Sequence, residues 1–223
     1  MTAIDQIIRT NRKTIALIIE RDGRLIVRAP IRASNDIIQK LIFKKEKWIQ
    51  TKQNHVKDAY LPFVPKEYVN GEGFWYLGKI HKLEFVEETR PSLILNGNFR
   101  LSRSALPKAP LVFERWYRQQ AYQVISERVE WYAKKHGYSY NKIKITSAHR
   151  RWGSCSSRGT LSFSWRLVMA SVPVIDYVVV HELVHLKIRN HSQEYWARVK
   201  LIIPDYQNKI DWLEKNGHLL NLE

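Results

Sequence analysis

Three histidines and one glutamate lie within eleven residues of the chain, in the segment HELVHLKIRNH that begins at His181 and ends at His191. His181 and His185 are four residues apart, so on a helix their imidazoles lie on one face about one turn apart and can bind the same metal ion. Glu182 is rotated by about 100° from His181, so it can act as a base toward a metal-bound water without being a ligand. This H-E-x-x-H spacing predicts a zinc site with a general base.

A catalytic zinc ion takes a third protein ligand and keeps its fourth position for water. His191 is the first candidate, but it lies six residues after His185, so the chain must turn after about Lys187. Asn190 suits such a turn because asparagine tolerates a left-handed backbone. Glu194 is the alternative third ligand. The sequence therefore predicts one zinc ion per chain, held by the three histidines of the segment.

The segment SAHRRWGSCSS, residues 147–157, concentrates cationic and hydroxyl side chains upstream of the histidines. Arg150, Arg151 and Ser154 are the candidate substrate-binding residues, Arg151 before Arg150, because a guanidinium can grip a phosphate or carboxylate with two hydrogen bonds. A strand end with exposed arginines is the structural alternative. Cys155 is the only cysteine of the chain, so we interpret it as a buried small residue rather than a nucleophile.

The composition favours anionic partners. The 37 lysines and arginines outnumber the 21 aspartates and glutamates, which gives a formal net charge of +16. Such a surplus suits an anionic small molecule, an acidic peptide or nucleic acid, without choosing among them. The single cysteine excludes an internal disulfide. Since neither a signal-peptide pattern nor a membrane-spanning apolar run is found, we expect a cytoplasmic protein with no membrane partner.

The elements that must position these residues fall into two regions. The first hundred residues read as short strands, with hairpin turns predicted at residues 21–23, 78–79 and 96–98. Between the first two turns, Ser34 can cap a helix through NDIIQKLIFKKEKWIQTKQ. We therefore predict that residues 1–105 form a β-rich N-terminal region with one basic helix.

A connector that contains serine and proline, residues 102–110, precedes a long helix that should end at Gly137. Strand-like stretches follow on either side of Arg158-Gly159. Pro173 then begins a helix through VIDYVVVHELVHLKI, which carries the first two histidines, and two further helices close the chain. Residues 106–223 are thus predicted as an α+β region in which the metal helix lies on a small antiparallel sheet.

The spacing H-E-x-x-H-x5-H also occurs in metzincins, but two features exclude that group. Metzincins carry glycine at the third position after the second histidine, where this chain has Ile188, and a methionine downstream of the site. The only methionines of this chain are Met1 and Met169, and both lie upstream.

A different resemblance covers residues 149–196. The block RWGSC at 151–155, the stretch DYVVVHELVHL at 176–186 and the third histidine followed by serine at 191–192 resemble the YgjP-like metallopeptidase-type family of metal-dependent hydrolases. An aromatic-tryptophan pair at 195–196 extends the match.

The resemblance implies three zinc-binding histidines and a catalytic glutamate, which fall on His181, His185, His191 and Glu182. It also implies that the predicted region 106–223 is zincin-like, and that a β-rich region precedes it. This chain departs from the family pattern at Ser164, where asparagine is expected, and at Tyr195, where phenylalanine is usual. Neither position is a proposed ligand, and the resemblance leaves the substrate open.

Three functions remain open on the sequence. A zinc-dependent hydrolase in which Glu182 activates a metal-bound water, most simply a metallopeptidase, is favoured by the motif. A metal-dependent nucleotide phosphohydrolase of the nucleoside triphosphate pyrophosphatase type, with Arg150 and Arg151 holding phosphates, is favoured by the charge. A non-enzymatic nucleic-acid-binding module with a structural zinc is disfavoured by Glu182, because a structural site fills all four positions and needs no base.

Overall fold

The computed structural model describes residues 4–20, 23–59 and 64–222, with the side chains of 54–59 outside the description. The chain divides into two compact units, Met1–Phe63 and Val64–Glu223. The boundary predicted between residues 105 and 106 therefore falls inside the second unit.

The first unit consists of a three-stranded sheet and one helix. Its elements are β1 (Gln6–Thr10), β2 (Ala16–Ile19), β3 (Leu25–Pro30) and α1 (Asn35–Ala59). Strand β3 lies in the middle, antiparallel to β2 as predicted and parallel to β1. The predicted turn residues 21 and 22 lie outside the described residues. Ser34 caps α1 as predicted, because its Oγ accepts a hydrogen bond from the Ile37 N–H at 3.4 Å.

The second unit begins with a four-stranded sheet of order β4-β5-β7-β6. Its strands are β4 (Gly73–Tyr76), β5 (Lys79–Val86), β6 (Leu93–Asn96) and β7 (Asn98–Ser102). The two predicted hairpins, β4/β5 and β6/β7, are antiparallel, and β5 and β7 pair in parallel. The turn between β4 and β5 lies at residues 77–78, one residue earlier than predicted. Leu77 and Gly78 both have positive φ angles, 47° and 79°, as a two-residue hairpin turn requires.

A 3₁₀ helix, Arg103–Lys108, leads into α2 (Ala109–His136), which ends at Gly137 as predicted, with a φ angle of 65°. The rings of Phe74 and Phe99 lie 4.3 and 5.2 Å from that of Phe113 on α2. The strands before residue 105 and the helix after it therefore share one hydrophobic core.

The sheet beside the histidine segment is mixed, so the predicted all-antiparallel sheet is wrong. It contains β8 (Lys142–Thr146), β9 (Gly153–Cys155) and β10 (Thr160–Ser164) in the order β8-β10-β9. Strands β9 and β10 form the expected antiparallel hairpin, but β8 pairs with β10 in parallel. Residues 147–152 connect β8 to β9, which lie at opposite edges of the sheet, so the chain crosses over β10. In a simple meander β8 would pair with its neighbour in the antiparallel direction, whereas after this crossing it runs parallel to β10.

Three helices complete the second unit: α3 (Val172–Val184), α4 (Gln193–Ile202) and α5 (Tyr206–Asn216). Helix α3 ends four residues before the predicted Ile188, because the chain tightens there: the N–H groups of Leu186 and Lys187 donate to carbonyls three residues back. Ser192 caps α4 by accepting from the Tyr195 N–H at 3.3 Å. No helix of the described residues is long and apolar enough to cross a membrane.

Candidate metal centre

Helix α3 is buried along almost its whole length, and its last turn carries His181 and Glu182. Its run of valine and isoleucine fits this position, since a helix that is apolar all round packs inside a core. Helices α2, α4 and α5 and strand β9 pack against it. His185 is the first residue beyond the helix, so the H-E-x-x-H segment spans the end of a rigid, buried rod.

The three histidines lie together with their Nε2 atoms facing one another. The Nε2 of His191 lies 3.1 Å from that of His185 and 3.2 Å from that of His181. One ligand nitrogen from each residue lies within 4.8 Å of the others, so the group could hold a metal ion. Two nitrogens bound tetrahedrally to zinc at ~2.0–2.1 Å would lie about 3.3 Å apart, so the spacing fits zinc without rearrangement.

The other ring nitrogens indicate which tautomer is present. The Nδ1 of His185 lies 3.0 Å from the Ile188 carbonyl oxygen, which requires a proton on Nδ1 and leaves the Nε2 lone pair free for a metal. The Nδ1 of His181 lies 3.4 Å from the Tyr177 hydroxyl.

Burial, reinforced by the two neighbouring histidines, lowers the pKa of His181 to about 3. Burial also lowers the pKa of His185. Neutral imidazoles are the form that binds metal.

Aromatic rings hold the histidines in place. Tyr195 is fully buried, its ring stacks on His185 at 4.6 Å, and its hydroxyl donates to the His181 carbonyl at 3.0 Å. His191 is exposed and comes from the loop before α4, but the Trp196 ring stacks on it at 5.5 Å. The Tyr206 ring stacks in turn on Trp196 at 5.3 Å. Stacked rings that extend to Tyr206 on α5 therefore orient His191, the exposed ligand candidate.

Glu182 occupies a tight and dry position. The residue is 4% exposed, and its Oε2 has no hydrogen-bond partner among the described residues. A Cβ atom added to Gly153 on β9 would lie 2.6 Å from the Glu182 Oε1, so only glycine leaves room for this carboxyl. Burial raises the pKa of Glu182 to about 8, against the opposing effect of the Arg151 charge. A carboxyl without partners in such a position is suited to proton transfer rather than to structural support.

A cavity of about 340 Å³ opens beside His181 and Glu182. Its apolar wall consists of Trp152, Tyr177, Val178, Ile210 and Leu213, and Arg151, Gly153 and Glu214 complete the lining. Of the three substrate-binding candidates, the structure brings only Arg151 to this cavity. Arg150 is exposed and does not line it. Ser154 follows Gly153 on β9, and since successive strand residues point to opposite faces, its side chain points away from α3.

Cys155 differs from its predicted burial, and Glu194 does not join the metal-binding group. Cys155 is half-buried rather than buried, and its Sγ lies 3.6 Å from Nη1 of Arg189. Glu194, the alternative third ligand, lines a separate cavity with Lys187 and Arg198 and is not part of the histidine group. The described residues therefore offer three imidazoles and no carboxylate as the metal-binding set.

The sequence patterns do not indicate Tyr177 or Gly153 as site residues, and they mark Tyr195 only as part of the family resemblance. A signal existed for Tyr177, because it is four residues before His181 on the predicted helix, the spacing of neighbours on one helix face. No local signal exists for Gly153, since it contacts Glu182 across a strand-helix interface.

The comparison with protein families agrees with the chemistry of this site. The sequence pattern of the family described as YgjP-like, metallopeptidase domain, matches residues 13–216. Among solved structures, the metallopeptidase zymogen of Pyrococcus abyssi abylysin is similar over 40% of this chain and 90% of that chain, with 21% identity and a TM-score of 0.38. A comparison with curated proteins gives no match.

Proposed function

Because the chain belongs to the YgjP-like family of metallopeptidase domains and is therefore a metal-dependent hydrolase, we propose that it cleaves peptide bonds with one zinc ion held by His181, His185 and His191. The observation that carries this proposal is the convergence of three Nε2 atoms, 3.1 and 3.2 Å apart, beside a buried carboxyl without a partner. A bound zinc ion supplies a Lewis acid that polarises a carbonyl and brings the pKa of a coordinated water toward ~7.

Glu182 is the general base of the proposed reaction. In the metal-free protein burial favours the protonated carboxyl, whereas the positive charge of a zinc ion held by the three histidines would lower the pKa of Glu182 and favour the carboxylate. The Oε2 of that carboxylate can then accept a proton from the attacking water, since no described group donates to it. The same oxygen then donates that proton to the departing amine, which needs it to leave as a neutral group. The dry wall of α3 and the close contact with Gly153 keep the carboxyl in one position.

Tyr177 and Tyr195 orient the ligands. The Tyr177 hydroxyl faces the Nδ1 of His181, and the Tyr195 hydroxyl holds the main chain of the same residue. Partners of this kind fix the direction in which an imidazole presents its free nitrogen.

Arg151 binds an anionic group of the substrate in this proposal. It lines the cavity beside Glu182 and acts electrostatically on that carboxyl. The apolar wall opposite suits an aliphatic or aromatic side chain. The preferred substrate is therefore a peptide that places an apolar side chain in the cavity and a carboxylate near Arg151, whereas Arg150 and Ser154 do not line this cavity.

The test starts with metal analysis of purified protein, where the proposal expects one zinc ion per chain. His185→Ala should abolish zinc binding, while His81→Ala, a histidine away from the site, should leave it intact. Glu182→Gln keeps the shape of the side chain and removes the base, so zinc should stay bound while peptide hydrolysis falls at least ~100-fold. A zinc-loaded Glu182→Gln variant with full activity would exclude the mechanism.

Substrate class is tested in the same preparation. Peptides with acidic or apolar residues are assayed beside nucleoside triphosphates, because Arg151 at the cavity suits either kind of anion. Arg151→Ala should lower kcat/KM at least ~10-fold without loss of zinc, as expected when a desolvated charge contact is removed. Arg150→Ala is the matched control and should have a smaller effect. Turnover of nucleoside triphosphates without any peptide cleavage would replace the peptidase by the phosphohydrolase.

A further inference from the structure

The outer face of α1 in the first unit combines lysines with large apolar side chains. Ile37, Phe43 and Trp48 are 56%, 81% and 41% exposed, and Lys40, Lys44 and Lys47 are exposed beside them. These six residues are called the α1 basic face. Helix α1 belongs to a different compact unit from the candidate metal centre.

Core packing does not account for this face, because α1 buries its opposite side. Ile38, Ile42 and Ile49 are at most 4% exposed and form a small core with Leu25 and Val27 of β3. The helix is therefore already fixed to its own sheet, and its outer apolar groups are surplus to the fold of the first unit.

The lysines of the face form a stripe of uncompensated charge. Lys40, Lys44 and Lys47 are spaced by four and three residues, so they lie along one side of the helix. Among the side chains that the structure describes, no carboxylate lies within ion-pair distance of any of the three. The stripe spans about 10 Å at ~1.5 Å per residue, which matches two or three successive phosphates of an extended strand.

The two aromatic residues lie on opposite sides of the lysine stripe. Phe43 and Trp48 are five residues apart, which places them about 140° from each other around the helix axis. A helix that lies in a membrane surface needs one continuous apolar face, and this arrangement does not provide it. Aromatic rings that flank a line of cations are instead the arrangement that binds unpaired bases while the cations contact phosphates.

We propose that the α1 basic face binds single-stranded nucleic acid, with Lys40, Lys44 and Lys47 on the phosphates and Phe43 and Trp48 stacked on bases. The face and the histidine group share no residue and belong to different compact units, so this interaction adds a nucleic-acid partner to the hydrolase rather than replacing its activity.

Binding is measured by fluorescence anisotropy of the full-length protein with labelled 20-nucleotide single strands at several salt concentrations. The triple variant Lys40→Gln, Lys44→Gln, Lys47→Gln should weaken binding at least ~10-fold and reduce the slope of log affinity against log salt by about 2, at ~0.7 for each lost phosphate contact. The matched triple variant Lys108→Gln, Lys142→Gln, Lys200→Gln removes the same charge from exposed positions of the second unit and should change binding less than ~2-fold by the same counting.

Stacking is tested separately. Phe43→Ala should weaken binding about 5-fold or more with little change in the salt slope, because it removes a ring and no charge. At 81% exposure this substitution should leave the fold intact, and Trp48→Phe should retain binding. The proposal is overturned if the two lysine triples weaken binding equally, if duplexes bind more tightly than single strands, or if Phe43→Ala impairs only the binding of vesicles rich in phosphatidylserine.

Discussion

Helices α1 and α3 carry the two groups of polar residues to which we assign functions, and they present them in opposite ways. Helix α1 buries one face and leaves Lys40, Lys44 and Lys47 exposed on the other. Helix α3 is buried on nearly all sides, and its charged residues, Asp176 and Glu182, are 9% and 4% exposed.

This difference in burial decides how strongly a single residue indicates a function. An exposed lysine costs almost nothing, so only the alignment of several with aromatic rings makes the α1 basic face informative. A carboxyl inside a core costs several kcal/mol unless it is paired or protonated, so each one on α3 requires an explanation. Asp176 has one, because Arg128 pairs with it. Glu182 lacks a partner for Oε2, and its explanation is chemical.

The largest effect that we predict on stability follows from this burial. Burial raises the pKa of Glu182 from 4.5 to about 8, so between these values the folded protein retains a proton that the unfolded chain releases. Stability of the metal-free protein is therefore lost as the pH rises through this window. Glu182→Gln removes the loss, and the variant should be more stable than the wild type by on the order of 4 kcal/mol at pH 8, and by much less at pH 5.

The measurement is denaturant unfolding of both proteins in the presence of a chelator at the two pH values. On α1, Asp36→Asn is the matched loss of a carboxylate at an exposed helix position, and it should change stability by less than about 1 kcal/mol at either pH. An equal stability change for Glu182→Gln at pH 5 and pH 8 would show that the carboxyl is not held in a dry position.

For Asp176, the paired carboxyl of α3, we predict the opposite effect on stability, because its removal should destabilise the protein. Nε and Nη2 of Arg128 donate to Asp176 at 2.5 and 2.8 Å, and the two side chains are 29% and 12% exposed. Asp176→Ala leaves the guanidinium without its partner and should destabilise the protein by about 2–3 kcal/mol, toward the low end for a buried pair because Arg128 is partly hydrated. Glu114→Ala, which breaks the more exposed pair with Arg118, should cost ~0.5 kcal/mol. Similar losses in the two variants would contradict the difference in burial.

The features that the sequence predicts well are those that depend on residues close in sequence. Positions fixed by local rules were identified from the sequence, such as the Ser34 cap, the end of α2 at Gly137 and the hairpin between β9 and β10. The histidine spacing also predicts a cluster, and the three Nε2 atoms do lie together. Each of these depends on residues close in sequence.

Features that depend on distant packing were not predictable in this way. The parallel pairing of β8 with β10 depends on how residues 147–152 cross the sheet, and no local pattern encodes that crossing. The early end of α3 is similar, since the apolar pattern continues to Ile188 while the backbone turns to bring His191 back toward His185. The boundary drawn at residue 105 followed composition, whereas the core of the second unit joins both sides of it.

The smallest predicted effect concerns Tyr195, where the family pattern usually has phenylalanine. Its ring is fully buried against His185, whereas its hydroxyl contributes one hydrogen bond, 3.0 Å from the His181 carbonyl. Tyr195→Phe keeps the ring and should cost about 1 kcal/mol of stability and no more than ~10-fold in zinc affinity, the low end for a residue that supports a ligand indirectly. Tyr195→Ala removes the packing surface of two histidines and should abolish zinc binding. Zinc titration and turnover of both variants separate these contributions. If Tyr195→Phe keeps its zinc but loses activity, the hydroxyl acts on the substrate, and the carboxyl of Glu182 is not the only proton-transferring group at the site.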